Sequence, residues 1–251
     1  MEGPTKFFFD LFCSLPFGLR SKLNNTFEKL ATHPYWHLEI IKKMGYYPDL
    51  ILDIGAYQGE WTDFTHRIFP KSDFLLIEAQ ESKRKYLENI AKKSPNISYE
   101  IALLGKTSSP KVAFYEMETG SSIYEEQSSA AREVKYLPMK TLDEVINTSN
   151  RKNVFIKLDV QGAELDILSG GAKSRHQVDF ILLETSLLDY NLNAPLTHEV
   201  IAQMAEWGYL LFDLCGVHRK KDNKVLFQVD LLFINKNSPH RVEANNFKNI
   251  F

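Results

Sequence analysis

The chain has 251 residues, of which 44% are hydrophobic, so it can build the core of one large α/β domain. Its formal net charge of −2 provides no global positive field, and nucleic acid is therefore not an expected partner. No apolar stretch reaches the roughly 20 residues that cross a bilayer, and the N-terminus lacks the pattern of a signal peptide. Cys13 and Cys215 show no metal-ligand spacing, so we expect a cytoplasmic protein with reduced thiols.

Residues 1–45 are predicted to form an N-terminal helical extension. The stretch Phe7–Phe17 is aromatic and apolar, which suits a helix packed on the domain edge better than a homodimer contact or a membrane-surface anchor. From Leu19 to Met44 the apolar residues recur at helical spacing. His33 and His37 lie beside a break in this pattern and are interpreted as packing residues rather than substrate contacts.

The stretch Leu50–Glu78 is predicted to form a nucleotide-binding βαβ unit. A short apolar run leads into the turn D-I-G-A-Y-Q-G at residues 53–59, a helical pattern follows, and a second buried strand ends in Glu78. Gly55 and Gly59 let the backbone turn tightly and approach a ligand where a Cβ atom would clash. Glu78 is placed to accept hydrogen bonds from both ribose hydroxyls.

The spacing of these glycines indicates whether the turn binds a dinucleotide or S-adenosylmethionine. A dinucleotide site needs Gly-x-Gly-x-x-Gly, so that the pyrophosphate rests on the helix N-terminus, but the position two after Gly55 is Tyr57. The carboxylate of Asp53 would repel a pyrophosphate, whereas it could accept a hydrogen bond from an ammonium group. The turn therefore favours S-adenosylmethionine, which carries an amine and a sulfonium, and an ordinary strand-to-helix turn is the alternative.

A helix from Ser82 to Lys92 and a strand from Ile97 to Leu104 are predicted after the βαβ unit. If this strand joins the same sheet, its exit lies next to the first two strands. We therefore expect Ala102 and Leu103 to lie beside the adenine of the bound nucleotide.

The segment from about residue 106 to 140 is predicted to be a lid inserted into the domain. Short strands at Lys111–Tyr115 and Val134–Leu137 flank a polar loop with a central glycine. Loops inserted at the carboxyl end of a parallel sheet often serve as lids or binding loops. Ser121 and Ser122 in this loop are candidates for holding the substrate or the cofactor carboxylate.

Two further buried strands are predicted to end in acidic residues. Val154–Leu158 leads into Asp159, and Val178–Leu183 leads into Glu184. Ligands of open α/β sheets bind beyond the carboxyl ends of the strands. We therefore expect Asp159 to face the same crevice as the acids of the βαβ unit.

The C-terminal part is predicted to contain two strands, Tyr209–Leu214 and Asp230–Asn235, joined without a helix. Their link, Cys215–Val229, is rich in Lys, Asp and Asn, and it contains His218. The last pair of strands is therefore expected to be antiparallel. A parallel sheet that ends in an antiparallel hairpin is typical of methyltransferases rather than dehydrogenases.

From Leu50 to Asn235 the chain resembles the FkbM-type methyltransferases, a branch of the class I S-adenosylmethionine-dependent enzymes. The matching residues are D-I-G-A-Y-Q-G at 53–59, I-E-A at 77–79, G-S-S at 120–122, K-L-D-V-Q-G-A-E at 157–164 and L-L-E at 182–184. The resemblance implies a three-layer Rossmann-like α/β fold, with a seven-stranded, mostly parallel sheet and an antiparallel last strand. The implied methyltransferase domain spans residues 46–240, and residues 241–251 form a C-terminal tail.

The same resemblance implies O-methylation of a sugar, a glycan or another small metabolite. The cofactor-binding candidates are the glycine turn, the strand exits and the loop serines, namely Asp53, Gly55, Ala56, Tyr57, Gly59, Glu78, Ala79, Ala102, Leu103, Ser121, Ser122 and Asp159. Asp159 is the leading candidate for general base or substrate anchor. Its alternatives are contact with the cofactor amine and binding of a divalent metal, although no set of metal ligands is indicated.

Glu184 and His218 complete the catalytic candidates, and each has a structural alternative. Glu184 could instead cap a neighbouring backbone group, and His218 could be a solvated loop residue. Glu164 is interpreted either as a brace that pairs with Lys157 or as a site residue. A nucleotide-dependent oxidoreductase and a non-catalytic cofactor-binding protein are the alternative functions from other classes.

Overall fold

The computed structural model describes residues 15–16, 19, 35–127, 131–146, 151–220 and 224–241. Most of the stretch Phe7–Phe17, and most of the helical pattern before residue 35, lie outside the described residues. The described helices are α1 (Trp36–Lys43), α2 (Glu60–Ile68), α3 (Arg84–Ala91), α4 (Leu142–Val145), α5 (Glu164–Gly170) and α6 (Thr197–Glu206). The described strands are β1 (Leu50–Ile54), β2 (Asp73–Glu78), β3 (Ile97–Ile101), β4 (Leu103–Leu104), β5 (Ser109–Glu116), β6 (Glu133–Lys140), β7 (Val154–Leu158), β8 (Phe180–Ser186), β9 (Tyr209–Arg219) and β10 (Leu226–Asn235).

Seven of the described strands form one sheet in the order β3-β2-β1-β7-β8-β10-β9. Strands β3, β2, β1, β7 and β8 pair in parallel, whereas β10 is antiparallel to both of its neighbours. This arrangement confirms the predicted fold class. None of the described helices has the length and apolarity needed to cross a bilayer.

Apolar side chains cover both faces of the sheet, which makes the fold a three-layer structure. Successive side chains of a strand point to opposite faces, so Phe155 and Ile156 of β7 belong to different clusters. Helices α1, α2 and α3 pack on one face, and α4, α5 and α6 pack on the other. Because β1 and β7 are buried along their whole length, the carboxyl ends of these central strands have a rigid base.

The turn after β1 is fixed by its backbone conformation and by hydrogen bonds to β2. Gly55 and Gly59 have positive φ angles, which glycine adopts without strain, and Tyr57 between them also lies in the left-handed region. The backbone N–H groups of Gly55 and Ala56 donate to the carbonyl of Ile77, at 2.9 and 3.1 Å. The exit of β1 is therefore held against the exit of β2, as the βαβ prediction requires.

The predicted strand Ile97–Leu104 is wrong as a single strand, because it divides between two sheets. Its first part, β3, pairs with β2, and the backbone N–H of Ala102 still donates to the carbonyl of Glu78 at 2.9 Å. Its last two residues, β4, pair with β6 in a three-stranded sheet of order β4-β6-β5. Strands β5 and β6 are longer than the strands predicted for the lid.

The predicted link Cys215–Val229 is also wrong, because most of it belongs to β9 and β10. The ladder places Gly216 opposite Asp230 and His218 opposite Gln228. Strand β9 lies at the edge of the sheet. An edge strand tolerates polar side chains because it is partly exposed to solvent. The polar sequence of this segment therefore resembled that of a loop. His218 therefore lies on a strand rather than in a solvated connection.

Candidate active site

A pocket of about 230 Å³ lies at the carboxyl ends of β1, β2, β3 and β7. It is lined by most of the predicted cofactor residues, namely Gly55, Ala56, Tyr57, Glu78, Ala79, Ala102, Leu103, Ser121, Ser122 and Asp159. Asp53 and Gly59 lie outside this lining. The structure thus brings together the glycine turn, the acidic end of β2, the exit of β3 and the two serines that follow β5.

Glu78 is held in the pocket by the backbone on both sides. Its side chain is 5% exposed, Oε2 accepts a hydrogen bond from the Tyr57 N–H at 2.8 Å, and Oε1 accepts one from the Gln80 N–H at 2.9 Å. Burial raises the pKa of Glu78, and the backbone donors oppose that effect. The carboxylate is therefore pre-oriented before any ligand binds.

We expect Glu78→Gln to weaken the binding of S-adenosylhomocysteine by about 10- to 100-fold, in line with the roughly 1.5–3 kcal/mol of a hydrogen bond to a charged group. The variant removes the charge and turns an NH₂ group toward one of the two backbone donors. Isothermal titration with S-adenosylhomocysteine measures the effect. The matched control is Glu81→Gln, because Glu81 pairs with Arg84 and does not line the pocket. An unchanged dissociation constant in a folded Glu78→Gln protein would remove Glu78 from the cofactor site.

Asp53 supports the glycine turn from within the fold. It is 0% exposed, its Oδ2 accepts a hydrogen bond from Thr62 Oγ1 at 2.8 Å, and its Oδ1 lies 3.1 Å from Lys157 Nζ. Lys157 Nζ also donates to the carbonyl of Gly55 at 3.2 Å and lies 3.7 Å from Asp159 Oδ2. Burial lowers the pKa of Lys157, but the charges of Asp53 and Asp159 outweigh it, and the net shift is upward.

Gly59 is a packing residue rather than a wall of the pocket. A Cβ atom at this position would lie 2.8 Å from Ile90 Cγ1 and 3.2 Å from Leu76 Cδ2. The residue is the N-cap of α2 and has a φ of 79°. Its lack of a side chain therefore lets α2 begin close to α3 and β2.

The pocket is lined by more acidic than basic side chains. Glu60, Glu78, Glu118 and Asp159 line it, and Lys157 is the one basic residue among its described lining residues. This charge suits the ammonium and sulfonium groups of S-adenosylmethionine. It disfavours the pyrophosphate of a dinucleotide, in agreement with the glycine spacing.

The segment between β5 and β6 contacts the pocket through side chains. Glu118 Oε2 lies 2.6 Å from Lys83 Nζ and accepts a hydrogen bond from the Tyr57 hydroxyl at 2.5 Å. Ser122 Oγ, in a residue that is 2% exposed, donates to the carbonyl of Gln161 at 2.8 Å. Ser121 Oγ accepts a hydrogen bond from the backbone N–H of Met117 at 2.8 Å. Both serines therefore also stabilise the segment between β5 and β6.

A second group of polar residues continues from Asp159 along the carboxyl edge of the sheet. We call it the edge network, and its members are Gln161, Glu184, Tyr190, His218, Gln228 and Asp230. Gln161 Nε2 donates to Asp159 Oδ1 at 3.1 Å and to Glu184 Oε1 at 2.7 Å. The Tyr190 hydroxyl donates to Gln161 Oε1 at 3.1 Å, and Gln228 Nε2 donates to Glu184 Oε1 at 2.5 Å. The pocket and the edge network therefore meet at Asp159.

His218 occupies the far side of the edge network. Its Nε2 lies 3.0 Å from Asp230 Oδ2 and 4.0 Å from Glu184 Oε2. The hydrogen bond to Asp230 raises the pKa of His218 against the effect of burial. Burial, together with the charges of Asp159 and Asp230, raises the pKa of Glu184 well above its usual value. The structure thus places the three catalytic candidates in one continuous polar path.

Glu164 braces the loop that carries Asp159. Its Oε1 accepts hydrogen bonds from the backbone N–H groups of Val160 and Gly162, at 3.0 and 3.2 Å. Burial raises its pKa to about 7. The predicted pairing with Lys157 is wrong, because the ammonium group of Lys157 lies against Asp53 and Asp159 instead.

The sequence alone predicted no site role for four members of the edge network, namely Gln161, Tyr190, Gln228 and Asp230. Gln161 lies within the D-V-Q-G-A-E run, so its motif was visible although its contacts were not. Gln228 and Asp230 alternate with Leu232 on β10, and this period of two could have placed all three on one face. Tyr190 lies in a loop with no comparable signal.

Comparison with known proteins gives one family match and several similar solved structures. The family described as Methyltransferase FkbM domain matches residues 53–211. Comparison with curated proteins finds no match. Solved structures to which the chain is similar include precorrin-6y C5,15-methyltransferase from Geobacter metallireducens, at 13% identity and a TM-score of 0.43, over 77% of this chain and 84% of that chain. Another is TrmK of M. capricolum in complex with S-adenosyl-homocysteine, at 12% identity and a TM-score of 0.45, over 81% of this chain and 69% of that chain.

The family match begins within β1, ends within β9 and covers more than half of the chain. It therefore includes the glycine turn, Glu78, Asp159 and Glu184. The protein belongs to the FkbM methyltransferase family and is an S-adenosylmethionine-dependent methyltransferase.

Proposed function

We propose that the protein transfers the methyl group of S-adenosylmethionine to a hydroxyl oxygen of a neutral small molecule, with a sugar or glycan as the acceptor class. The observation that carries this proposal is the position of Asp159. Its carboxylate lines the cofactor pocket and is joined through Gln161 to the edge network. An acceptor bound at the edge network would thus meet the cofactor beside a carboxylate.

In this proposal three parts of the pocket each contact a different part of the cofactor. Glu78 holds the ribose hydroxyls, and Ala102 and Leu103 lie beside the adenine. Gly55 and Tyr57 form the turn that receives the amino-acid end, and Asp53 orients that turn through Lys157. The contacts of Glu78 and Asp53 described above support these roles, because each carboxylate is fixed before ligand binding.

The reaction needs alignment and removal of one proton. The acceptor oxygen attacks the methyl carbon, the sulfur–carbon bond breaks as the oxygen–carbon bond forms, and S-adenosylhomocysteine leaves. Holding the two reactants in line supplies much of the reduction in the barrier. The hydroxyl proton passes to Asp159, which we propose as the general base. Gln161 holds one carboxylate oxygen of Asp159, and Oδ2 lies on the side of Lys157.

The composition of the edge network supports a neutral acceptor that is rich in hydroxyl groups. Its side chains are two carboxylates, two amides, a phenol and an imidazole, which can hydrogen-bond to hydroxyls as donors and acceptors. It contains no lysine or arginine, the residues that proteins use to bind the phosphates of nucleic acids. By themselves, its two carboxylates would repel a phosphate group.

The test of this function is methyl transfer to fractionated acceptors. The protein is incubated with S-adenosylmethionine that carries a labelled methyl group, and with neutral, anionic and RNA fractions of an extract from its source organism. We expect label in the neutral fraction, in ethers that survive mild alkali. Label that enters mainly RNA, or that is bound to nitrogen or sulfur, would contradict the proposal. Heat-denatured protein is the control.

The domain limits follow from the same proposal. Residues 46–240 form the methyltransferase domain, residues 106–140 form its lid, and residues 1–45 and 241–251 flank it. The small sheet β4-β6-β5 and its contacts with the pocket support the lid assignment. The free, buried thiol of Cys215 is compatible with a reducing cytoplasmic location.

A further inference from the structure

Three potential metal ligands converge within the edge network. His218 Nε2 lies 3.0 Å from Asp230 Oδ2 and 4.0 Å from Glu184 Oε2, and the three ligand atoms all lie within 4.8 Å of one another. Metal–ligand bonds of about 2.0–2.2 Å place neighbouring donor atoms at about this separation. We propose that Glu184, His218 and Asp230 bind a divalent metal ion at the acceptor end of the active site. The role of the ion in catalysis rests on the proposed function above.

The three ligands come from adjacent strands, so their spacing is set by the sheet. Glu184 of β8 and Asp230 of β10 are direct partners in the antiparallel ladder. Two like charges at directly opposite positions destabilise a sheet. A divalent cation between the two carboxylates would convert this repulsion into attraction.

Asp230 has its position because its neighbour on β9 lacks a side chain. A Cβ atom on Gly216 would lie 2.1 Å from Asp230 Oδ2 and 2.9 Å from its Cγ. The φ angle of Gly216 is not positive, so backbone conformation does not require glycine there. Glycine is required at residue 216 because the Asp230 carboxylate occupies the space of a side chain there. In that space, Oδ2 of Asp230 lies against His218.

The two oxygens of Glu184 have different environments. Oε1 accepts hydrogen bonds from the amides of Gln161 and Gln228, at 2.7 and 2.5 Å. Oε2 is the oxygen that faces His218. Ligating carboxylates are commonly fixed in this way by donors that do not contact the metal themselves. The two glutamine amides therefore orient Glu184 as a ligand with one free oxygen.

The surrounding charges favour a cation. The carboxylates of Asp159, Glu164 and Asp230 all act on Glu184. The ammonium group of Lys157 also acts on it, but this group is paired with Asp53 at 3.1 Å. Partly buried carboxylates are costly unless they are paired or coordinate a metal. Two carboxylate oxygens and an imidazole nitrogen form a donor set that suits manganese, zinc and related divalent ions.

A second histidine provides an independent observation on the same side of the site. His37 of α1 is 2% exposed, and neither of its ring nitrogens has a hydrogen-bond partner. Burial lowers its pKa to about 4, and Asp230 is the charged group that opposes this shift. A buried imidazole with two unsatisfied ring nitrogens thus lies near enough to Asp230 to be affected by its charge.

A metal ion at this position would assist the proposed reaction. A bound cation polarises an oxygen that coordinates it and lowers the pKa of a coordinated hydroxyl. Asp159, joined to Glu184 through Gln161, would then receive the proton more readily. The bonds that form and break remain those of the methyl transfer described above.

The test uses manganese alone as the probe, with the full chain and saturating S-adenosylhomocysteine. The protein is treated with a chelator and desalted, and free Mn²⁺ is followed by electron paramagnetic resonance during titration. We expect saturable binding of one ion per chain. His218→Ala and Glu184→Gln should each weaken it by at least about tenfold, while the affinity for S-adenosylhomocysteine stays within about threefold of the wild type. His198→Ala, which removes an exposed histidine on α6, is the matched control and should bind Mn²⁺ normally.

Each alternative result has a separate meaning. Absence of saturable Mn²⁺ binding to the wild type, or binding that both ligand variants leave unchanged, overturns the metal site. Binding of Mn²⁺ together with an unchanged methyl-transfer rate after chelation overturns the catalytic role of the ion. Binding of Mn²⁺ without methyl transfer to any hydroxyl would refute the proposed function and leave the metal site standing.

Discussion

Asp159→Asn is expected to lower the turnover number by about 10²- to 10⁴-fold, the usual contribution of a general base. The affinity for S-adenosylhomocysteine should stay within about threefold of the wild type. Asparagine has the same size, and its carbonyl can still accept the hydrogen bond from Gln161 Nε2. Lys157 keeps its closer partner, Asp53. The variant therefore removes the proton acceptor while the fold and the cofactor pocket remain intact.

The measurement is initial methyl-transfer rate at saturating cofactor, together with titration of S-adenosylhomocysteine. Asp63→Asn is the matched control, because it removes a carboxylate from surface ion pairs with Arg67 and Lys93 outside the pocket. Wild-type turnover in Asp159→Asn would show that the base lies elsewhere. A loss of cofactor affinity that equals the loss of turnover would assign Asp159 to cofactor binding instead.

The strands that carry the site could be predicted because buried parallel strands are continuous apolar runs. The positions of Glu78 and Asp159 at the pocket followed from this pattern and from the rule that ligands bind at carboxyl strand ends. The environment of Asp53 did not follow, because it depends on contacts with Thr62 and Lys157 from other elements. A short motif identifies which residues lie at a strand end, but it does not show which side chains face the ligand.

The edge network could not be assembled from sequence, because its members come from separate segments that meet only in the folded chain. Gln161 follows β7, Tyr190 follows β8, and Gln228 and Asp230 lie on β10. His218 was a candidate, but its polar surroundings resembled a loop and concealed its place on β9. These residues come together because β10 pairs with β8 on one side and with β9 on the other.

Gly55→Ala should be among the most damaging single substitutions in the described part of the chain. A Cβ atom at residue 55 would lie 2.0 Å from the carbonyl oxygen of Asp159 and 3.1 Å from Val160 Cγ1, and the φ angle of Gly55 is +74°. The Asp159 backbone cannot easily retreat, because its N–H donates to the carbonyl of Ile54 at 3.1 Å. We expect a loss of roughly 2–5 kcal/mol in the free energy of unfolding, from left-handed strain and overpacking together.

Gly45→Ala separates these two causes, because Gly45 has a φ angle of +88° but nothing lies within 4 Å of its added Cβ atom. Only the backbone strain, roughly 1–2 kcal/mol, is expected there, and affinity for S-adenosylhomocysteine should be unchanged. Gly55→Ala should in addition weaken S-adenosylhomocysteine binding by more than about tenfold, since the turn that lines the pocket must move away from Asp159. Thermal unfolding with and without S-adenosylhomocysteine measures both effects. Equal losses of stability in the two variants, with normal ligand binding in both, would mean that the close approach of β1 to the β7 exit does not shape the cofactor site.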